Sequence, residues 1–523
     1  MHIVIADSLP STAADALRAE GWSVDARAGR TTEQLARDLT DADALIVRSA
    51  TQVTAELIAA APKLKVIARA GTGVDNVDVT AASDRGILVM NAAGANSISV
   101  AELTMALLLS LSRSIPAADA SMKKGLWDKK KLTGVEVRGK TLGIIGFGRI
   151  GREVAGRARG FGMEIIAHDP FITPRAAETI GVPLVSLDDL LGASHYISLH
   201  LPSVPETRHM INGERLARCR RGVRIVNTAR GELIDEAALA AAIESGHVAG
   251  AGLDVFEVEP PSDGRLTMLP QVIATPHIAA STVEAQELVG EEIVASVRAY
   301  LAEGVIRNAV NFPSIPPEEY PRLRPQLQLA QKLGALIAQL MPAAPESIGI
   351  RYYGPLTTQY ESVIGSAVLA GALSPFLESV TPVNARALAS QRGLEVIESR
   401  STRSRDYVNV ISVKLRAGGQ ERWVEGTVFE PSSPRLVTLD SVDIEAPLSG
   451  TGVLISNQDR PGVVGDIGTT LGRHGINIAS FALGRGDAGA VGVITVDEHD
   501  ALGAAVEEVR RLPAIREAKI VRL

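Results

Sequence analysis

The stretch Gly146-Phe147-Gly148-Arg149-Ile150-Gly151 has the G-x-G-x-x-G spacing with which a backbone closes on a pyrophosphate. Alone the pattern is weak, but here its context is specific. It follows an apolar run, TLGIIG (141–146), opens a helical stretch, GREVAGRARGFG, and is followed by a second apolar run, EIIAHD (164–169), that ends in an acid. Gly146 allows the tight turn, Gly148 the close approach of backbone to phosphate, and Gly151 the close packing of helix on strand. The free N–H groups at the helix start are a ready anion site. Asp169 is placed to accept hydrogen bonds from both ribose hydroxyls, and its charge repels a 2′-phosphate, so the expected cofactor is NAD rather than NADP. His168, beside it, reads as a neighbour.

Three further residues point to a reaction. Arg230 follows the run VRIVNTA, Glu259 lies in DVFEVEPP, and His277 follows VIATP. All three fall at or just beyond the C-terminal ends of expected strands, where open α/β sheets put their active sites. Oxidation of a 2-hydroxy acid needs such a set. A neutral imidazole takes the hydroxyl proton, a carboxylate orients the ring and steadies its charged form, and an arginine grips the substrate carboxylate with two prongs. Each residue has an ordinary reading by itself: a core histidine, a strand-end arginine, a solvated acid. Their joint occurrence after one dinucleotide fold favours catalysis.

The elements around these residues are legible as a βα rhythm. HIVIAD (2–7), ALIVRS (44–49), KVIARAG (65–71) and ILVMNAAG (87–94) are near-continuous apolar runs separated by Ala-rich stretches, which predicts a parallel sheet covered on both faces. An apolar helix, Ser97 to Arg113, leads through a basic segment, KKGLWDKKK, into the second series, whose strands are expected at 141–146, 164–169, 195–202, 223–230, 250–256 and 272–278. A helix over about 282–303 is expected to return to the first sheet. Five prolines in residues 311–325 mark a linker. Beyond it a helix over 326–342 and alternating runs such as SIGIRYYG, YVNVISVKLRAGGQERWVEGTVF and RLVTLDSVDIEA predict an α+β unit with an antiparallel sheet. Residues 450–523 read as βαββαβ, a ferredoxin-like split βαβ with a GDAG turn.

Composition narrows the class. With 46% hydrophobic and 22% charged residues the 523-residue chain is globular, and its length suits three or four domains. A net charge of −7 argues against nucleic acid or an anionic membrane as the main partner. The single cysteine, Cys219, excludes a disulfide framework and a cysteine-rich metal site, so no metal is expected. MHIVIADSLP does not read as a signal peptide, and the apolar run Leu103–Leu111 is too short to span a bilayer. A soluble cytoplasmic protein is expected.

The stretches GKTLGIIGFGRIGREVA, VNTARGELIDEAAL, GAGLDVFEVEP and TPHIAAST resemble the D-isomer-specific 2-hydroxyacid dehydrogenases. VRSATQVT, IARAGTGVDNVD, NAAGANSISVAELT and WDKKKLTG narrow the resemblance to the long-form branch that works on 3-phosphoglycerate. It covers the whole chain and implies two flavodoxin/Rossmann-like doubly wound parallel-sheet domains, an α+β intervening domain and a C-terminal ACT domain. The boundaries implied are 1–96 plus 284–310 for a discontinuous substrate domain, 97–283 for the NAD domain, 311–325 for the linker, 318–447 for the intervening domain and 450–523 for the ACT domain. The resemblance gives Arg230 the substrate carboxylate, Glu259 the orienting role and His277 the proton. It adds Arg149, Ile150, Thr228, Ala229 and Asp254 to the cofactor contacts.

The same resemblance implies NAD-dependent oxidation of 3-phosphoglycerate to 3-phosphohydroxypyruvate in serine biosynthesis. That substrate carries a carboxylate and a phosphate, so an acidic protein needs local cations to hold it. Arg48 and Arg69 end strands of the first series, Thr72 and Asn96 lie in Gly-containing loops, and Lys131 belongs to the basic segment that the resemblance brings from a neighbouring subunit. In the ACT domain Asp459 can pair with an ammonium and Asn477 with a carboxylate or side chain; the resemblance implies L-serine there as effector. Asn457 stands where relatives commonly have a tyrosine. A homotetramer, a dimer of dimers, is implied as well. Two alternatives stay open: a reductase of unphosphorylated hydroxypyruvate or glyoxylate, and a non-catalytic NAD-sensing protein.

Overall fold

The computed structural model describes residues 1–523 except 128, 173–180, 262–263, 317, 404, 430–431 and 488. Asp128 of the basic segment, Pro317 of the proline-rich segment and Ala488 of the expected GDAG turn therefore lie outside the described residues.

The chain builds four sheets. The first contains β1 (His2–Ile5), β2 (Ser23–Ala26), β3 (Ala44–Val47), β4 (Val66–Arg69) and β5 (Leu88–Asn91). All pair in parallel, in the order β2-β1-β3-β4-β5. Every residue of β3 is fully buried, because helices cover both faces and an apolar run such as ALIV needs no polar side. The edge strand β2, SVDA, is half-exposed and polar, which is why apolar-run reasoning found only four strands. Helix Val283–Glu303 returns to this sheet. Its start is capped by Thr282, Gly290 meets Pro10 and Ala13 at helix Ser11–Ala19, and Ile293 and Val297 enter the core with Ile3 and Ile5.

The second sheet contains β6 (Thr141–Ile145), β7 (Glu164–His168), β8 (Tyr196–Leu199), β9 (Val223–Asn227), β10 (Val248–Leu253) and β11 (Val272–Ala274). It is also parallel, in the order β11-β10-β9-β8-β6-β7. The order reverses between β6 and β8, and in the first sheet between β1 and β3. Those reversals open crevices at the carboxyl ends of the strands. Cys219 sits buried at the end of helix Gly213–Arg218, and burial pushes its thiol up to about 11, so it stays protonated and inert at neutral pH.

Beyond residue 319 the fold departs from the sequence expectation at two places. The long helix runs Tyr320–Leu340, so residues 320–325 are helix rather than linker. Pro321 sits in the first turn, where its missing N–H would be unpaired anyway, and Pro325, one turn further in, forfeits one more bond. The third sheet, β12 (Ser347–Tyr353), β13 (Glu395–Ser401), β14 (Val410–Ala417), β15 (Gln420–Phe429), β16 (Ser433–Leu439) and β17 (Val442–Pro447), is mixed. β13 pairs in parallel with β12 across a helical connection, and the remaining pairs are antiparallel. Helix Glu361–Leu373 in that connection is buried almost all round, so it lacks the one-sided periodicity that marks a surface helix.

The last sheet, β18 (Thr451–Asn457), β19 (Ile478–Gly486), β20 (Gly489–Val496) and β21 (Ile515–Arg522), has the order β19-β20-β18-β21 with helices Val463–Arg473 and Leu502–Arg510, the expected βαββαβ. Leu502, Ala505, Val506 and Val509 are buried as the periodicity predicts; Leu512 packs from just beyond the helix end.

Helices Tyr320–Leu340 and Glu361–Leu373 cross at two glycines. A methyl group on Gly334 would overlap the Val368 carbonyl, and one on Gly371 the Gln331 carbonyl. Backbone carbonyls inside helices cannot yield without moving a helix. Gly334→Ala or Gly371→Ala is therefore expected to destabilise this domain by about 1–3 kcal/mol. Urea unfolding followed by circular dichroism checks this, and wild-type stability in both variants would refute the close crossing.

Candidate active site

The glycine loop is built as three different constraints. Gly146 has φ +90°, and a Cβ there would strike the His200 carbonyl. A Cβ on Gly151 would strike the Gly146 carbonyl, so helix Arg149–Gly160 packs on the turn only because none is present. At Gly148 the space where a Cβ would stand is open, and no side chain caps the helix start. That leaves uncapped N–H groups beside a free volume, the requirement for a pyrophosphate. Asp169 is tied to the same loop: Oδ2 accepts from the Phe147 N–H at 2.9 Å and Oδ1 from Phe171 N–H at 2.9 Å. Each oxygen keeps a further lone pair for a ribose hydroxyl. These residues fit NAD.

The structure places the other residues read from the sequence as cofactor contacts as follows. Arg149 reaches across to Gly94 of the first domain, where a Cβ would obstruct its guanidinium. Ile150 is half-buried. Thr228 is buried and its hydroxyl pairs with Thr104 Oγ1 at 2.8 Å; the Ala229 N–H donates to Asn227 Oδ1 at 3.0 Å. His200 is half-buried, and desolvation pushes it down to about 3, so it is neutral, with Nε2 on Ser198 Oγ at 2.8 Å.

β9, β10 and β11 are adjacent, and their carboxyl ends carry Arg230, the Asp254–Glu259 segment and His277. His277 Nδ1 and Glu259 Oε2 are 2.7 Å apart, and Glu259 Oε1 accepts from the Phe256 N–H at 3.1 Å. With Nδ1 engaged by the carboxylate, Nε2 is left for chemistry. The imidazole is half-exposed, and its backbone is left-handed at φ +52°. A non-glycine residue in that region holds strain that the surroundings must offset.

Asp254, read from the sequence as a cofactor contact, also restrains this turn. The residue is fully buried, and its oxygens are engaged by Thr275 Oγ1 at 2.6 Å, Ile278 N–H at 2.9 Å and Ala279 N–H at 2.9 Å. Its carbonyl accepts the His277 N–H at 2.8 Å. Asp254 thus clamps the turn that aims His277. The clamp continues: Asp254 N–H donates to Asn227 O at 2.9 Å, and Asn227 Nδ2 to Arg230 O at 2.8 Å.

A cluster of cations lies at the carboxyl ends of β3 and β4. Arg69 is largely buried, and its Nε has no hydrogen-bond partner. Burial, and next the neighbouring Arg230, push it down to about 10, which still leaves a cation at neutral pH. Arg48 and Arg230 are both close enough to act on it, as are Asp75 and Asp7. The Arg69 guanidinium fills the space over Gly71, and that of Arg230 the space over Gly73. Thr72 Oγ1 donates to Asn96 Oδ1 at 2.7 Å, bringing the two loop residues together. Lys131 lies on the exposed turn Lys129–Leu132.

Sequence reasoning missed the residues that hold these arginines. Asp7 accepts the Arg48 N–H at 2.5 Å and the Thr51 hydroxyl at 2.7 Å. Asn76 Nδ2 donates to the Arg48 and Thr51 carbonyls at 2.6 Å each. Asp75 Oδ2 accepts Arg230 Nε at 2.9 Å from the opposite domain. The only available signal was their position, just after strand ends or inside the glycine loop AGTGVDN. In the C-terminal domain Asp459 meets Arg485 at 3.5 Å, and Asn477 Nδ2 donates to Asp497 Oδ2 at 2.9 Å. No hydrogen bond joins Asp459 to Asn477 among the described residues.

An uncapped glycine loop beside a carboxylate–imidazole pair and an arginine cluster defines an NAD-binding 2-hydroxyacid dehydrogenase. Residues 105–279 match the family model for the D-isomer specific 2-hydroxyacid dehydrogenase NAD binding domain. Residues 322–440 match the D-3-phosphoglycerate dehydrogenase intervening domain, and 451–514 the ACT domain. The D-3-phosphoglycerate dehydrogenase of Methanocaldococcus jannaschii is 41% identical over 526 residues, covering 100% of both chains. That of Mycobacterium tuberculosis is 44% identical over 487 residues, 92% of this chain and 91% of the other. The chain belongs to the D-3-phosphoglycerate dehydrogenase family. Among solved structures, Aquifex aeolicus D-lactate dehydrogenase with NAD and lactic acid matches at 31% identity and TM-score 0.53, over 60% of this chain and 100% of that one. The TT0316 protein of Thermus thermophilus matches at 38% and 0.55, over 59% and 100%.

Asp254→Asn turns one accepting oxygen into a donor facing backbone N–H groups. The expected cost is about 1–3 kcal/mol of stability, together with a lower kcat as the His277 turn loosens. Denaturation and steady-state kinetics check it; an unchanged kcat would mean that His277 is held without this clamp.

Proposed function

We propose that this chain oxidises 3-phosphoglycerate to 3-phosphohydroxypyruvate, with Arg230, Glu259 and His277 as its catalytic set. The observation that carries the reading is the 2.7 Å Glu259–His277 pair beside a three-arginine cluster. NAD, when bound, accepts the hydride that leaves C2. As it leaves, the C2 hydroxyl gives its proton to His277 Nε2 and the carbonyl forms. Glu259 fixes the tautomer through Nδ1 and offsets the positive charge the ring acquires. Arg230 grips the carboxylate next to C2. Arg48 and Arg69 meet the phosphate, with Thr72 and Asn96 lining the loop between the charges and Lys131 reaching in from a neighbouring subunit. A carboxylate and a phosphate bring nearly three negative charges, and this cation density on an acidic chain is best explained by such a ligand.

Thr228 and Ala229 border the nicotinamide end of the cofactor, Arg149 and Ile150 the pyrophosphate, and Asp169 the adenosine ribose. In the ACT domain Asp459 and Asn477 are the proposed contacts for L-serine, held between two copies in a homotetramer. Among the described residues no single helix is long and apolar enough to cross a membrane, which suits a cytoplasmic enzyme.

The test is NADH oxidation with 3-phosphohydroxypyruvate against unphosphorylated hydroxypyruvate, each with and without L-serine. A strong preference for the phosphorylated substrate, suppressed by serine, is expected. Equal use of both would favour a general hydroxypyruvate reductase, and no turnover an NAD-sensing protein. His277→Ala should lower kcat by ~10²–10⁴. Arg230→Lys should also impair the enzyme, since an ammonium cannot make the two-pronged contact. Asp169→Ala should weaken the preference for NAD over NADP; an unchanged ratio would remove Asp169 from the ribose.

A further inference from the structure

Arg230 is held from two sides before any substrate arrives. Nη1 donates to its neighbour's carbonyl, Ala229 O, at 2.6 Å, and Nε donates to Asp75 Oδ2 at 2.9 Å. Nη2 lies over Gly73, where any Cβ would displace it. Ala229 belongs to the NAD-binding half, whereas Asp75 and Gly73 belong to the first sheet's loop, 155 residues away in sequence. That loop is itself fixed. Asn76 ties it to the Arg48 and Thr51 carbonyls, and Asn91 Nδ2 donates to Thr72 O at 2.6 Å.

We propose that Asp75 is a positioning residue for the reaction: through Nε it fixes the plane of the Arg230 guanidinium, so that the outer N–H bonds on Nη1 and Nη2 face the substrate carboxylate. The proposal rests on the reading of Arg230 as the carboxylate anchor. A guanidinium has five N–H donors in a rigid fork, and two are used here for orientation. A carboxylate suits the post better than a neutral acceptor, because Arg230 and Arg48 both disfavour the charge on Arg69 and Asp75 favours it. Stability does not account for the pair. The Asp75 side chain is 63% exposed, and an ion pair so open to water adds little to folding. Its loss is therefore read in catalysis rather than in the melting temperature.

Asp75→Ala is expected to lower kcat/KM for 3-phosphohydroxypyruvate by about ten-fold or more, the scale of a misaligned contact. NADH affinity, measured by quenching of protein fluorescence, should stay the same, which also reports a folded nucleotide site. The loss should be equal for phosphorylated and unphosphorylated hydroxypyruvate, because Asp75 acts on the carboxylate end that both share. Asp75→Asn retains an oxygen acceptor for Nε and should recover part of the activity. In an Arg230→Lys background, Asp75→Ala should cost little more. An unchanged or higher kcat/KM in Asp75→Ala would overturn the proposal, as would a loss confined to the phosphorylated substrate or full additivity with Arg230→Lys. If Arg230→Lys alone is unimpaired, the anchor reading fails and the role of Asp75 falls with it. If Arg230→Lys is impaired and Asp75→Ala is not, only the role of Asp75 fails.

Discussion

Parallel pairing delivers the carboxyl ends of all strands to one edge of a sheet, and both sheets of the catalytic half are wholly parallel. This constraint sets where chemistry can be. In the first sheet the edge carries Asp7, Arg48 and Arg69, at or beyond the ends of β1, β3 and β4; in the second it carries Asn227, Asp254 and Thr275, at or beyond β9, β10 and β11. The residues at the second edge are not independent. Asp254, buried and fully engaged, joins the turn that bears His277 to the strand that leads to Arg230. The turn with left-handed backbone at His277 is kept in place by a carboxylate that touches no solvent.

Electrostatics shapes the cleft in the opposite direction from the rest of the molecule. The chain has a net charge of −7, yet three arginines converge where the two domains meet. Arg69 bears the cost most directly, being largely buried with an unpartnered Nε. Two carboxylates partly balance the group, Asp7 on the Arg48 backbone and Asp75 on the Arg230 guanidinium. The group keeps a net positive charge, so the cleft favours an anionic ligand over a neutral one.

Much of this was legible in the sequence where local chemistry dictates structure. The glycine loop could be read because each glycine answers a steric demand within a few residues, and the βαββαβ order because its strands and helices have clean periods. The edge strand Ser23–Ala26 could not, since an exposed strand needs no apolar run. Nor could the parallel pairing of Glu395–Ser401, which depends on a helix buried almost all round. The proline-rich segment reads as a linker up to residue 325 because proline near a helix start and proline in a loop look alike in sequence. That Arg230, Glu259 and His277 lie at neighbouring strand ends could be read from their position after apolar runs. The bonds from Asp254 to the His277 turn could not be read, because they are decided by tertiary packing. Asp75 escaped for a similar reason, its partner being on another domain.

The intervening domain touches the first sheet at Gly86, where Thr381 Oγ1 donates to the carbonyl at 3.0 Å and a Cβ would overlap Thr381 and Asn384. Gly86 precedes β5, so this seam lies at the amino end of that strand, while Asn91, at its carboxyl end, holds the Thr72 carbonyl. At this seam the intervening domain therefore meets the first sheet on the side away from the cleft. Modularity follows, and it agrees with TT0316, which matches only 59% of this chain yet is itself matched in full. An attachment at the rear edge leaves the strand ends at the cleft untouched, so such a tail can be gained or lost by gene fusion without rebuilding the cleft. Anything it communicates to the cleft through this seam must travel the length of β5 as movement of a rigid strand.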